Sequence, residues 1–335
     1  MKKIFILASI IFIISFCACR EVKHTDNKET ICIGFSMATL NEDRWVSDRD
    51  FMRQKAEERG CDIIITNANG DPDEQYDDVA GLVDQGIDVL VYAPQDFSRA
   101  SECVSYAKKR GVPVISYDRL AGDSDLDAYI SFDSYKTGRI QAQELLKYAT
   151  SGRFLIICGP ETDRNSGFLY DGVADVLNEE NTAAADVLTV KQWRKEEAYD
   201  MVLDRLSQKD NDIKAVIAAN DSLAWGAVNA AAVLGLSGKI FVAGQDADLS
   251  ACKRIEDNTQ TLTIYKPVDE LARRTVDICI KLACGMDFGY DKLIDNGKKE
   301  VPGILLDVYC VDASNVKDII EKKKRNYESK YDLCS

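Results

Sequence analysis

A single histidine, His24, in 335 residues removes several chemistries at once. A His-rich zinc site or a paired-His metalloprotease helix needs more than one histidine, and a Ser-His-Asp triad would have to draw on His24, in the polar stretch behind the N-terminal apolar run. Basic residues are in deficit: 42 Lys+Arg stand against 56 Asp+Glu, a net charge of −14. Phosphate binding needs a basic surface, so the balance argues against a nucleic-acid partner. No two glycines are spaced G-x-G and no G-x-x-x-x-G-K-[ST] loop occurs, which leaves no dinucleotide or nucleotide fingerprint. The eleven cysteines contain no C-x-x-C pair and no metal spacing. What is present is a globular composition, 46% hydrophobic and 29% charged, in a chain long enough for two domains of roughly 150 residues.

The N-terminus reads as an export signal. Lys2 and Lys3 precede an almost continuous apolar run from Ile4 to Phe16. That run is shorter than the roughly 20 residues needed to span a bilayer core. It ends in Phe16-Cys17-Ala18-Cys19, and a small residue directly before a cysteine is similar to a bacterial lipoprotein cleavage box. Residues 1–18 are therefore expected to be a signal peptide and Cys19 the lipidated residue, with a polar tether over 19–29 that contains a solvated His24. Acyl chains used together would hold the protein on a membrane surface. The nine remaining cysteines are dispersed, and Cys32, Cys61, Cys158 and Cys310 lie in or beside apolar runs, as buried thiols do.

From residue 31 onward, short β-branched runs alternate with amphipathic stretches of helical length. Eleven strands are expected, five ending at Ala128–Phe132 and six more from Arg153–Cys158 to Ile304–Val308. The first three helices end in Arg59-Gly60, Gln85-Gly86 and Arg110-Gly111, each placing glycine where a left-handed residue closes a helix. Continuous apolar strands imply parallel sheets covered on both faces. The fold class is α/β, doubly wound, and eleven strands suit two lobes better than one.

In open α/β sheets ligands sit beyond the C-terminal strand edges. Those edges run into Asp118-Arg119, Asp133, Asn220-Asp221, Gln245-Asp246 and Lys266-Pro267, with Arg44-Trp45 after the first strand and Trp193 after the seventh. Carboxylates, cations and amides on one rim suit a sugar, whose hydroxyls donate and accept together. Trp45 and Trp193 are expected to cover its two C–H faces. Asp221, ahead of an apolar helix, reads as an N-cap, and Asp48, Asp50, Asp77 and Asp78 read as solvated helix faces. Asp123, Asp125 and Asp127 alternate like the start of a calcium loop, but Ala128 replaces its glycine and Ser134 its glutamate, so a polar turn is expected and no metal.

These residues carry a family likeness. Arg44-Trp45 with Asp48-Arg49-Asp50, Asn67-Ala68-Asn69-Gly70, Tyr117-Asp118-Arg119, Tyr129-Ile130-Ser131-Phe132-Asp133, Asn220-Asp221, Gly244-Gln245-Asp246-Ala247-Asp248-Leu249 and Tyr265-Lys266-Pro267 are the segments concerned. Over roughly residues 31 to 320 the chain resembles the type I periplasmic binding proteins of sugar ABC importers. The resemblance implies two parallel-sheet lobes joined by three crossover strands and closing like a hinged trap. The N-lobe would be 30–133 plus 265–299 and the C-lobe 134–264 plus 300–325. It implies a pocket with Arg44, Trp45, Asp118 and Arg119 from the first lobe, Asp163, Asn165, Trp193, Asn220 and Asp246 from the second, and Lys266 at a crossover. Gly159–Gly172 and Arg194-Lys195-Glu196-Glu197 depart from the family pattern.

The function implied is capture of a monosaccharide, D-xylose foremost, for an ABC permease in the membrane, with no cofactor and no catalysis. A sugar sensor docking on a histidine kinase or chemoreceptor would use the same pocket and closure. A glycoside hydrolase would use Asp118 and Asp246 as acid and base, but a carboxylate among Arg and Lys side chains keeps a low pKa and is a poor acid. A sugar-sensing repressor shares the fold, yet no helix-turn-helix precedes residue 31.

Overall fold

The computed structural model describes residues 30–182, 184–209 and 212–332. The signal peptide expected over 1–18, the tether over 19–29, and with them Cys17, Cys19 and His24, lie outside the described residues.

The first lobe opens with five strand units: β1 (Cys32–Met37), α1 (Asp43–Glu58), β2 (Asp62–Asn67), α2 (Pro72–Asp84), β3 (Val89–Tyr92), α3 (Ala100–Lys109), β4 (Val114–Tyr117) and β5 (Ala128–Phe132). Gly60, Gly86 and Gly111 close the three helices at φ of 69°, 81° and 81°. The second lobe runs α4 (Ser134–Leu146), β6 (Arg153–Cys158), α5 (Arg164–Glu179), β7 (Ala184–Thr189), α6 (Lys195–Leu206), β8 (Ile213–Ala218), α7 (Asp221–Val233), β9 (Phe241–Gln245), α8 (Leu249–Glu256) and β10 (Leu262–Tyr265). The chain returns through α9 (Val268–Ala283), β11 (Lys292–Asp295) and β12 (Glu300–Leu306), then ends in β13 (Tyr309–Asp312) and α10 (Val316–Asp332).

Two sheets result, ordered β11-β12-β5-β4-β3-β1-β2 and β13-β10-β9-β8-β6-β7. Every pairing is parallel except β11 with β12 and β10 with β13. The inner strands of the first sheet, β1, β3, β4 and β5, are buried on both faces, as continuous apolar strands require. Along β3, Val89 and Val91 join Ile33, Phe35 and Ile115 in one cluster, while Leu90 and Tyr92 join Val79, Leu82 and Val104 in another. In the second lobe α4 and α5 cross with their backbones touching. A Cβ on Gly138 would lie 2.0 Å from the Leu169 carbonyl oxygen, and one on Gly172 2.1 Å from that of Tyr135.

Three differences from the sequence reading have physical causes. The family likeness puts the last return at residue 300, but β12 pairs with β5 through Gly303–Leu306, so the chain stays in the first sheet to Leu306. The short strands β11 and β13 were not anticipated; both add antiparallel at sheet edges, where half-exposed residues give no continuous apolar signal. Asp48 is fully buried and not solvated. The Asp123–Asp127 stretch acts as a turn: Asp125 pairs with Lys299 at 2.9 Å, and Asp127 accepts both Lys108 Nζ and the Val114 N–H. No disulfide joins the eight described cysteines, and Cys61, Cys103, Cys158, Cys252 and Cys279 are buried.

Candidate functional site

The C-terminal strand ends of both sheets face one cleft, and the lobes meet across it. The Phe97 N–H donates to the Thr162 carbonyl at 2.9 Å, and Asn165 Nδ2 donates to the Asp118 carbonyl at 2.9 Å. Arg119 and Asp163, each about 5% exposed, form an ion pair at 2.9 Å. Inside lies a chamber lined by all ten residues expected there: Arg44, Trp45, Asp118 and Arg119 from the first lobe, Asp163, Asn165, Trp193, Asn220 and Asp246 from the second, and Lys266 between them.

Local backbone chemistry sets each group. Asp118 and Asp246 follow β4 and β9 with φ of 58° and 99°. Non-glycine residues reach this region at a cost of about 1–3 kcal/mol, so the surrounding bonds must impose it. The Asp118 N–H donates to the Ile130 carbonyl, and its own carbonyl accepts from Tyr129 Oη and Ser131 Oγ. The Asp246 N–H donates to the Ile264 carbonyl, and the next N–H, of Ala247, donates to Thr263 Oγ1. Asp163 caps α5, accepting the Asn165 N–H, while its other oxygen meets Arg119. Asn220, rather than Asp221, caps α7: its Oδ1 accepts the Leu223 N–H at 2.9 Å. Trp193 lies against Gly159, where a Cβ would come within 2.2 Å of the ring.

The charges are tightly organised. Arg44 bridges Asp118 at 2.6 Å and Asp48 at 2.9 Å, and Asp48 also accepts the Tyr117 hydroxyl. The guanidinium carbons of Arg44 and Arg119 lie 4.5 and 5.2 Å from the centre of the Trp45 ring. Lys266 pairs with Asp246 at 3.3 Å and lies 5.6 Å from the Phe132 ring centre. Burial opposes ionisation of Asp118, but the charges of Arg44, Lys266 and Arg119 outweigh it and hold the carboxyl below the ordinary range. Burial wins at Asp163, whose pKa is raised despite Arg119.

Five buried polar atoms in the chamber have no hydrogen-bond partner among the described residues: Glu42 Oε2, Arg119 Nε, Trp193 Nε1, Gln245 Oε1 and Asp246 Oδ1. The Arg119–Asp163 and Asp246–Lys266 contacts are ion pairs whose geometry leaves Nε and Oδ1 unbonded. Buried polar groups are nearly always satisfied, so these atoms call for partners from outside the chain, water or a ligand. Glu42 was not anticipated, and Gln245 was read as part of the strand-end rim but not as a pocket residue. Gln245 sits on β9 directly before Asp246, and its Nε2 donates to the Ala219 carbonyl.

Behind the Asp246 turn two acids lie together. Asp221 accepts the Asp248 N–H and the Thr263 hydroxyl, both at 2.9 Å, and Gln260 Nε2 at 3.0 Å. A Cβ on Gly244 would meet Asp221 Oδ1 at 2.1 Å, so only glycine fits there. Burial raises the pKa of both acids, and the charges of Asp221 and Asp246 raise that of Asp248 further. A carboxyl with a raised folded pKa holds its proton longer folded than unfolded, so stability falls as pH climbs above the unfolded value of about 4. The protein is expected to melt higher near about pH 5 than near about pH 7.5. Asp248→Asn should flatten that difference and add about 1 kcal/mol of stability at the higher pH. Equal melting temperatures of the unaltered chain at both values would contradict this account.

The chain matches the periplasmic binding protein domain over residues 33–287 and belongs to that family. It is a binding protein of the transport class and not an enzyme. Among its relatives are the D-xylose-binding periplasmic proteins of Haemophilus influenzae and Escherichia coli. Each is 36% identical, over 87% of this chain and 89% of that protein for the first, and 89% and 91% for the second. A solved carbohydrate transporter solute-binding protein from Chloroflexus aurantiacus, in complex with D-glucose, superposes with a TM-score of 0.81 at 26% identity, covering 86% of this chain and 94% of that one. No helix among the described residues is long and apolar enough to cross a membrane.

Proposed function

We propose that the chain is the lipid-anchored substrate-binding component of a sugar ABC importer and that its ligand is D-xylose. The observation that carries the reading is the convergence of unbonded donors on Arg119 and Trp193 with unbonded acceptors on Gln245 and Asp246 in one chamber. A ligand that donates and accepts at several points satisfies all four at once, and a polyhydroxylated ring does so. Trp45 and Trp193 supply the aromatic surface for its C–H groups. Xylose is favoured over other sugars by the two relatives at 36% identity. The lobes, 30–133 with 268–306 and 134–265 with 309–332, part to admit the sugar and close on it. The closed form is what an ABC permease receives, and acylated Cys19 keeps the body beside it once residues 1–18 are removed.

Calorimetry on the full-length chain with xylose, arabinose, ribose, glucose and galactose tests the ligand. Xylose is expected to bind tightest, and heat from none of the five would reject the reading. Loss of the protein from the membrane fraction in Cys19→Ala tests the anchor.

A further inference from the structure

Glu42 stands at the N-cap of α1, where short polar side chains normally accept a helix N–H. Its backbone is extended as a cap requires, at φ −98° and ψ 143°, yet its side chain makes no capping hydrogen bond. It does not turn to solvent either: Glu42 is 7% exposed and its Oε2 has no partner among the described residues. It lines the inner chamber and also the vestibule above it, about 740 Å³ in volume, a position it shares with Arg119 and Trp193. The charged groups it faces are Arg119, Asp246 and Arg44, all of them chamber residues. Burial raises its pKa, and the charge of Arg119, a hydrogen bond to its own backbone and the charge of Arg44 offset that only in part.

Leaving a buried carboxyl oxygen unbonded is costly, and a ligand hydroxyl at the threshold would relieve that cost. Resting on the monosaccharide reading above, we propose that Glu42 is a further ligand-binding residue, accepting a hydrogen bond from the ring hydroxyl that the bound sugar turns toward the cleft mouth. It therefore sets specificity at that ring position. A sugar lacking the hydroxyl there has nothing to offer Glu42 and leaves its Oε2 unbonded in the closed form.

The test is calorimetry on the full-length chain with D-xylose and its monodeoxy analogues, one for each ring hydroxyl. Glu42→Leu is expected to weaken xylose binding by about ten-fold or more. The same substitution should change the affinity for one analogue by less than about two-fold, because that analogue no longer makes the bond. Glu42→Gln gives the same pattern at smaller amplitude and serves if the leucine variant does not fold. Unaltered xylose binding by both variants overturns the assignment. So does an equal loss across xylose and every analogue, which would make Glu42 a support of the protein and not a contact of the sugar. An unaltered chain that takes up no sugar overturns the monosaccharide reading itself, and the assignment with it.

Discussion

Asp246→Ala is expected to weaken binding of the proposed ligand, D-xylose, by at least about 2 kcal/mol, roughly 30-fold, in calorimetry of the full-length chain. The carboxylate sits at the end of β9 with Oδ1 unbonded, 3.3 Å from the Lys266 ammonium. In the closed chamber Oδ1 is free to accept a sugar hydroxyl while the lysine charge holds it in place, a charge-assisted bond of the stronger kind. Alanine removes that acceptor and also leaves Lys266, 5% exposed, without the counter-charge it meets at the crossover. Binding must then be achieved with Lys266 lacking its ion-pair partner, its charge met only by the Asp118 and Asp163 carboxyls nearby, which adds to the lost bond. The turn itself should survive: the Asp246 N–H bond to Ile264, the Ala247 N–H bond to Thr263 and the Lys323 bond to the Asp246 carbonyl are all backbone contacts that alanine keeps. Affinity within about two-fold of the unaltered chain would remove Asp246 from the site.

Residues at strand ends were legible because an α/β sheet converts one-dimensional order into position. β-branched runs give the strands, parallel order puts their C-terminal ends on one rim, and whatever follows each run faces the cleft. Asp118-Arg119, Asn220, Asp246 and Lys266 come together in the chamber by that route. Asp163 and Asn165 came from the family likeness, since the loop before α5 has no pattern of its own. The capping role expected of Asp221 falls to Asn220 because either can cap a helix one residue apart, and only the three-dimensional partners of Asp221 show it to be a buried organiser. Glu42 escaped because it precedes its helix in a loop, where spacing says nothing about burial. The lobe assignment of β12 escaped for a related reason: its apolar run marks a strand, but a run cannot state which sheet receives it.

Asp48 was misread as a solvated residue, and the reason leads to the largest expected effect on stability. Helix α1 is rich in charge on every side, so its polar face cannot be told from its buried one by composition. The signal that would have found Asp48 is its spacing: it lies four residues after Arg44, and side chains at that interval share a helix face. Once Arg44 is placed in the chamber, Asp48 must lie behind it. There it accepts from Arg44 Nε at 2.9 Å and from the Tyr117 hydroxyl, with both Asp48 and Tyr117 fully buried. Burial raises the Asp48 pKa in spite of Arg44, so ionising it is costly and the pair is no simple gain. Breaking it is worse. Asp48→Ala leaves the Arg44 charge with Asp118 alone and strands the Tyr117 hydroxyl in the core, and is expected to cost about 3 kcal/mol in chemical denaturation. Adding Tyr117→Phe should recover about 1 kcal/mol, because the hydroxyl no longer has to be buried unbonded. A loss below about 1 kcal/mol for the single variant would mean that Asp118 alone compensates Arg44. Arg44 would then be fixed in the chamber from the ligand side, and the helix behind it would be free to vary.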